Sequence, residues 1–240
     1  MPLPNRAGNI AVYQLSLPTN DAQLAMKIDH SFTSANKLSL RYFWDDFTVQ
    51  QNAALPAFNS ANNWVTHNAT LNDTHIFSPN IVNNFNFTFA RNTFIRSPLV
   101  TSPAKNWADL GCKTCVSLSP PGVPTDWAIS ISNGLNLRVN TNYFSYMQNY
   151  QYSDTLNITR GNHLLSLGGD LEYVRRNGRE FFQKDTQFAV DGTRSGSLYG
   201  YADFMLGAAA NVYQNSPISS FQFKWTPILY AQDDCAFPAA

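Results

Sequence analysis

The chain has 240 residues, of which 44% are hydrophobic, 14% aromatic and only 13% charged. Sixteen basic and sixteen acidic side chains give a formal net charge of zero, so charge provides no argument for a nucleic-acid or anionic-membrane partner. The longest weakly polar run, Phe204 to Ala210, contains Gly207 and is far shorter than the roughly 18 residues of a membrane-spanning helix, which excludes a helical membrane protein.

Alternating polarity predicts a first pair of strands. Apolar and polar residues alternate from Ala22 to Phe32, and the alternation resumes from Leu38 to Trp44 after the turn-forming tetrad Ser34-Ala35-Asn36-Lys37. Two alternating segments joined by a tight turn predict a β-hairpin. The Asn-, Ala- and Gln-rich segment from Gln50 to Asn63 then predicts a long connection.

The clearest strand runs from Ile81 to Phe94, after a weaker one from Trp64 to Phe77 and the turn Ser78-Pro79-Asn80. Phe85, Phe87 and Phe89 share one face with Ile81, whereas the other face is polar or small apart from Val82. Soluble domains use strands of about 5 to 6 residues, and a tilted strand needs about 9 to 11 to cross a bilayer. Length and alternation therefore predict an all-β fold of antiparallel up-and-down strands, forming part of a transmembrane β-barrel.

Alternation disappears between Ser97 and Leu137. This stretch gathers five prolines, which argues against central strands here: Pro98, Pro103, Pro120, Pro121 and Pro124. Outer-membrane barrels have long loops on the extracellular side and short turns on the periplasmic side. A long irregular segment between strands with short turns is typical of this arrangement.

Alternation returns from Tyr143 to Ile158, where tyrosines cluster at one end, as in the aromatic girdle of a membrane interface. The turn Arg160-Gly161-Asn162 leads into a partner strand from Leu165 to Tyr173. The segment from Asn177 to Pro217 is irregular again, with a short helix predicted over Tyr201 to Ala210. Two last strands, Ser220 to Trp225 and Ile228 to Asp234, are separated by Pro227, for a total of about eight strands.

No constellation of catalytic or metal-binding residues is evident. The four histidines have no tight ligand spacing, and His67 and His75 lie too far apart on one strand face to share an ion. Asp45-Asp46 and Asp233-Asp234 are adjacent pairs, whose members point to opposite faces of a strand and suit no acid–base role. We therefore predict no enzyme activity, no catalytic, cofactor-binding or metal-binding residues and no cofactor.

Three cysteines are present. Cys112 and Cys115 lie in a Pro- and Gly-rich segment without the second pair of a zinc ribbon, so a local disulfide or two inert thiols are the expected states. Four asparagines begin Asn-x-Thr sequons, but Asn and Thr also fill lumen-facing strand positions, and we favour that interpretation for Asn68, Asn72, Asn86 and Asn157.

Several short signatures follow one another along the chain in a recognisable order. They are Pro4-Asn5, Lys27 to Phe32, Asn36-Lys37-Leu38 with Arg41-Tyr42, Gly161-Asn162-His163 with Leu165 to Gly169, Ala202 to Gly207, and Tyr230 to Asp234. Together they resemble the β-barrel region of TonB-dependent outer-membrane receptors, especially the Oar-like group with an N-terminal carboxypeptidase-regulatory-like domain. The resemblance extends over nearly the whole chain.

The resemblance implies an energised importer in the outer membrane of a Gram-negative bacterium, in which a plug domain closes a barrel of about 22 strands. The partners it implies are the lipid bilayer, the remainder of the barrel and the plug, the energy-transducing TonB complex, and an unknown small-molecule, glycan or peptide ligand, but no nucleic acid. Ligand contacts are expected in the loops Cys112 to Trp127 and Asn177 to Tyr201, because barrel loops vary while strands form the wall.

Three departures from that family accompany the resemblance. The start, Met1 to Ile10, does not read as a signal peptide, no plug is present, and the strands number fewer than half of those in the family's barrel. In addition, the residues after Cys235 neither continue a strand nor end in the terminal aromatic expected of a complete barrel. We expect residues 1–240 to be one partial barrel domain from a longer chain, with 235–240 atypical. The alternatives are a secreted β-sandwich that binds carbohydrate in a lectin-like manner, and a self-contained eight-stranded barrel.

Overall fold

We describe the fold from a computed structural model of the chain. It describes residues 5–8, 11–12, 14, 16–52, 57–100, 107–113, 115, 117–118, 126–139, 142–180, 183–216 and 218–235. In chain order the elements are β1 (Thr19–Thr33), β2 (Asn36–Gln51), β3 (Phe58–Ser78), β4 (Ile81–Val100), β5 (Ala128–Ile131), β6 (Asn136–Arg138), β7 (Tyr143–Arg160), β8 (His163–Glu180), β9 (Gln187–Val190), α1 (Gly200–Leu206), β10 (Asn211–Tyr213) and β11 (Ile218–Cys235).

Seven long strands form one antiparallel sheet in the order β1-β2-β3-β4-β7-β8-β11. Each has 15 to 21 residues, well above the length that a soluble domain needs. The described sheet is open, since β1 and β11 lie at its two edges and do not pair with each other. The predicted all-β fold with strands of bilayer length is confirmed, and the open sheet corresponds to part of a barrel wall.

The register sorts the side chains of these strands into two faces. One continuous row across all seven strands is apolar or aromatic: Ile28, Leu40, Leu71, Phe87, Tyr152, Leu171 and Pro227. The neighbouring row points to the other face and is polar throughout: Lys27, Arg41, Thr70, Thr88, Gln151, Glu172 and Thr226. We call these sides of the sheet the apolar face and the polar face.

The apolar face is not covered by other described residues. Ile28 is 63% exposed and Leu229, at the edge of the sheet, 89%. An apolar surface of this extent is costly in water, whereas a barrel wall turns it towards lipid. The sandwich alternative requires a second sheet over this face, and none lies there among the described residues.

Short turns join the strands at one end of the sheet. They are Ser34-Ala35, Pro79-Asn80 and Gly161-Asn162, at the positions the sequence predicts. Gly161 has a φ of 60°, in the left-handed region that glycine adopts at little cost. The longer connections, between β2 and β3, β4 and β7, and β8 and β11, all lie at the opposite end.

Proline was a misleading signal at two positions. β4 runs through Pro98 to Val100, where it pairs with β3 alone because β7 begins at Tyr143, opposite Arg96. The two predicted last strands are a single strand, β11, which continues through Pro227 and pairs with β8 alone. In both places the described strand has a neighbour on one side only, which is where a β-sheet tolerates a proline.

The predicted connection from Gln50 to Asn63 is also mostly strand. β2 extends to Gln51, and β3 begins at Phe58. Ser60 and Asn62 are buried, and Asn62 accepts a hydrogen bond from Arg96 on β4 at 3.3 Å. Tertiary packing thus overrides the weak strand propensity of an Asn-rich segment.

The long connections contain a small second sheet with the strand order β10-β9-β5-β6. The expectation that no central strand lies between Ser97 and Leu137 was wrong, because β5 is central in this sheet, parallel to β9 and antiparallel to β6. The predicted helix is confirmed in shortened form as α1, which ends before Gly207, whose left-handed conformation (φ 66°) caps it. No helix of the described residues has the length and apolarity needed to cross a membrane. We call residues 107–139 and 183–213, as far as they are described, the loop subdomain.

Candidate functional site

The loop subdomain is anchored on the polar face of the long sheet by aromatic packing. Phe58, at the start of β3, contacts Trp127 edge-on with ring centroids 5.4 Å apart, and Trp107 lies 5.5 Å from Trp127. The indole N–H of Trp107 donates to the carbonyl of Thr186 at 2.6 Å. Phe58 occupies the same face of β3 as Ser60 and Asn62, so the subdomain covers the lumen side of the wall at its loop end.

The subdomain contains a half-open cavity of about 330 Å³ beside its aromatic core. Cys112 contributes to the lining and forms a disulfide with Cys115, so the bridged alternative of the sequence analysis is the one observed. The remaining lining is mostly apolar: Trp107, Ile129, Phe188, Val190, Phe204, Gly207 and Ala209. Such a cavity suits an apolar group, and its size falls in the range of small-molecule sites.

Both predicted ligand loops reach this cavity, Cys112 from the first and Phe188 and Val190 from the second. The parallel pairing of β5 with β9 brings them together. Sequence reasoning missed the contributions of Trp107 and Phe204, which lie just outside the predicted segments. The sequence signal for Trp107 was an aromatic residue in an irregular stretch, whereas Phe204 lay within the predicted helix and the Ala202 to Gly207 signature.

A cluster of charged and polar side chains lies beside the aromatic core. Asp126 is buried, and its carboxylate accepts hydrogen bonds from the backbone N–H of Gln183 and, at 3.3 Å, from the side-chain amide of Gln187. The backbone N–H of Asp126 donates to the carboxylate of Asp185 at 2.7 Å. Burial raises the pKa of Asp126 to about 7, against the opposing effects of the Gln183 N–H and the positive charge of Arg138.

Lys184 is also buried in this cluster. Burial lowers the pKa of its ammonium group, while the carboxylates of Asp185 and Asp126 act in the opposite direction. Among the described residues, the cluster provides no group of three His, Cys, Asp or Glu side chains that could hold a metal ion. It joins β9 to the segment before β5, so its evident role is to hold the subdomain together.

Asp203 organises the loop between β9 and α1. Its carboxylate accepts from three backbone N–H groups: Gly192 at 2.9 Å, Arg194 at 3.1 Å and Ser195 at 2.7 Å. Burial acts to raise the pKa of Asp203, but the hydrogen bonds from Ser195, Arg194 and Gly192 outweigh it and lower the pKa. The Ala-Asp-Phe signature at residues 202–204 thus has a structural explanation in this carboxylate.

The histidines do not group into one site, and three of them each have a different hydrogen-bond partner. The rings of His67, His75 and His163 hydrogen-bond to Tyr42 at 2.8 Å, Asn36 at 2.9 Å and Asp233 at 2.9 Å, respectively. Within the described ranges no three His, Cys, Asp or Glu side chains cluster to hold a metal ion. That the chain lacks metal and catalytic residues stays a prediction.

The sequon asparagines lie on the polar face together with the threonines that follow them. Asn68, Asn72 and Asn86 occupy positions in register with that face on β3 and β4, and Asn157 does so on β7, where it accepts from Ser166 at 2.7 Å. These placements fit lumen-facing wall positions, as expected from the sequence.

A long antiparallel wall with an apolar face towards lipid, a polar face towards water and a loop subdomain on the polar side defines the outer-membrane β-barrel class. The sequence matches the family described as outer membrane beta barrel domain over residues 1–236, and the chain belongs to that family. The protein is therefore located in the outer membrane.

One solved structure agrees with this fold. The outer membrane transporter YddB from Escherichia coli is similar over 96% of this chain, with a TM-score of 0.54 and 9% sequence identity. The chain spans 27% of the length of that protein, so the likeness concerns one portion of it. No curated protein matches the sequence.

Proposed function

We propose that residues 1–240 form one part of the barrel wall of a TonB-dependent outer-membrane receptor that takes up a small molecule, a glycan or a peptide. In such a receptor a plug domain closes the barrel, further strands complete the wall, and the TonB complex transmits energy from the inner membrane. The role of this chain is passive in chemistry. It provides a lipid-facing wall and a loop subdomain that meets the ligand.

The observation that carries the proposal is the loop subdomain on the lumen side of the wall. A plain pore needs an unobstructed lumen, whereas a receptor needs shaped loops at the mouth of the barrel. The aromatic anchor at Phe58, Trp107 and Trp127 fixes such loops in place. The likeness to a transporter fold and the ordered signatures from Lys27 to Asp234 support the same proposal.

The ligand contacts we propose are those around the 330 Å³ cavity. Its apolar lining, with Trp107 and Phe188 at 5.1 Å from each other in an edge-on arrangement, suits an aromatic or aliphatic portion of a ligand. The polar remainder of a ligand would then face the polar side chains of the wall.

The test is genetic and works with an unidentified ligand. A strain lacking this gene is compared with the parent for growth on panels of ferric siderophores, glycans and peptides as limiting nutrients. We expect a defect on one class that is equally large in a strain lacking TonB and no larger when both are absent. A defect that is additive with loss of TonB would contradict the proposal.

A further inference from the structure

A belt of aromatic side chains crosses the apolar face about midway along its strands, 9 to 11 residues from their turn end, which is the length that a tilted strand needs to cross a bilayer. Phe89, Tyr150, Tyr173 and Trp225 lie in one register row on β4, β7, β8 and β11. Their rings contact in sequence, with centroids 5.1, 6.1 and 4.2 Å apart. Amphipathic rings concentrate where a membrane meets water, so this row marks the outer interface of the bilayer.

The next outward-pointing row towards the loops carries positive charge. Arg91, Gln148 and Arg175 are direct cross-strand neighbours on β4, β7 and β8. With strands about 4.8 Å apart, the two arginines flank the glutamine across a span of about 10 Å. Positive charge therefore lies immediately above the aromatic belt, at the depth of lipid headgroups.

Both guanidinium groups are held over aromatic rings and remain exposed. Arg91 lies 5.8 Å from the ring centre of Tyr146, and Arg175 lies 5.1 Å from that of Phe221. In the part of the chain that the structure describes, neither has a carboxylate partner. The outward carboxylates of Asp46 and Asp154 accept instead from Asn63 and Asn83, both at 2.6 Å.

The arginine row and the aromatic belt together form a cleft of about 270 Å³ that opens on the apolar face. Its lining combines one guanidinium, one amide and four aromatic rings: Arg175, Gln148, Tyr150, Tyr152, Tyr173 and Trp225. Guanidinium and amide N–H groups are donors for phosphoryl oxygens. The rings below them suit a sugar face or the start of an acyl chain.

We propose that this cleft binds the phosphorylated headgroup of a lipid in the outer leaflet. Arg175 and Gln148 donate to the phosphoryl oxygens, Arg91 adds a second positive charge two strands away, and Tyr173 with Trp225 contacts the body of the lipid. The site lies outside the barrel and is separate from the ligand cavity of the loop subdomain. It gives the wall a fixed lipid neighbour at its outer rim.

The test measures lipid binding by native mass spectrometry on the protein purified from the outer membrane of its host in mild detergent. Bisphosphorylated lipid A is titrated against the unchanged protein and a variant carrying Arg91→Gln and Arg175→Gln. The variant loses two positive charges at the headgroup depth, so we expect about tenfold or more weaker binding. The matched control carries Arg41→Gln and Arg176→Gln, which remove the same charge from the polar face, and binding should be unchanged.

Two comparisons on the unchanged protein keep the proposal testable whatever the variants do. Dephosphorylated lipid A should bind about tenfold more weakly, and inorganic phosphate should fail to compete at concentrations that saturate a simple anion site. Equal binding of the dephosphorylated lipid would overturn the proposal. Effective competition by inorganic phosphate would do so too, because it would reveal an anion site in place of a lipid site.

Discussion

Asp203 is the residue on which the loop before α1 depends. An Asp203→Asn substitution keeps one acceptor oxygen and loses the charge and the second oxygen, leaving at least one of the N–H groups of Gly192, Arg194 and Ser195 without its partner. We expect hydrogen exchange of these amides to accelerate by about tenfold. The control is Asp191→Asn, since the carboxylate of Asp191 accepts from the neighbouring Thr193 and the substitution should affect that turn alone. Unchanged exchange in the Asp203 variant would count against this role.

Asp126 makes the loop subdomain sensitive to pH. Because burial raises its folded-state pKa to about 7, above the 3.8 of an unperturbed Asp, its contribution is fully present below about pH 3.8 and is lost as the pH rises towards 7. Amide protection of residues 183–190 should therefore fall between pH 4 and pH 7, by up to about 1.4 kcal/mol of local stability per pH unit. The same pH series is measured on Asp126→Asn and subtracted from that of the unchanged protein. The remaining pH dependence of amide protection is then due to the Asp126 carboxyl and not to Lys184 or Arg138. If the amide protection assigned to Asp126 increased with pH, the predicted direction of the effect would be wrong.

Gly168 determines how closely β11 can pack against its neighbours. The ring of Tyr230 on β11 crosses over Gly168 on β8 so that its hydroxyl reaches that of Thr155 on β7, 2.5 Å away. A Cβ at position 168 would lie 2.5 Å from that ring and 2.6 Å from the carbonyl oxygen of Asp154. We expect Gly168→Ala to displace Tyr230 and lower the temperature at which the folded band is lost in a heat-modifiability gel.

The matched control for Gly168 is Tyr230→Phe, which removes the hydrogen bond and keeps the ring. We expect this substitution to lower the stability of the folded protein by about 1 kcal/mol, which is less than the effect of Gly168→Ala. If Gly168→Ala is as stable as the unchanged protein, the close approach of the ring is not what fixes β11.

The long strands were predictable because their information is local. Each long strand, such as Ile81 to Phe94, shows an apolar and a polar face by itself. Turn residues such as Gly161 indicate where the strands end. Proline at 98 and 227 pointed the wrong way, since whether a missing N–H matters depends on which neighbour lies beside it. That neighbour is known only once the sheet order is known.

The short elements and the cavity could be predicted only in part. β5 and β9 have four residues each, and their pairing joins segments about 60 positions apart along the chain, so no local pattern specifies it. The positions of the two ligand loops were predictable, because both belong to long connections at the same end of the sheet. The contribution of Trp107 was not, since an aromatic in an irregular segment has no periodicity to interpret. That of Phe204 was not either, because no local pattern specifies what a short predicted helix packs against.

On the scale of the whole molecule, the two faces of the sheet should respond differently to the same charge. Phe85→Arg places a cation on the apolar face midway between the turn end of β4 at Ile81 and the aromatic belt at Phe89, and should destabilise the inserted protein by about 2–4 kcal/mol. Thr88→Arg, on the polar face of the same strand, should cost much less, because water reaches it. The measurement is folding into lipid bilayers from urea. Equal costs for the two variants would contradict the assignment of the faces.

The most direct test of the account is a nitroxide scan along β4, from Asn83 to Asn92, in membranes. Cys235 is free and exposed and is first replaced by Ser, while the Cys112–Cys115 disulfide remains. A barrel wall predicts that accessibility alternates from residue to residue. Phe85, Phe87 and Phe89 should be accessible to oxygen dissolved in lipid, and the residues between them to a water-soluble nickel chelate. Odd-numbered positions that are shielded from both reagents would mean that a second sheet covers this face, and the barrel-wall interpretation would be wrong.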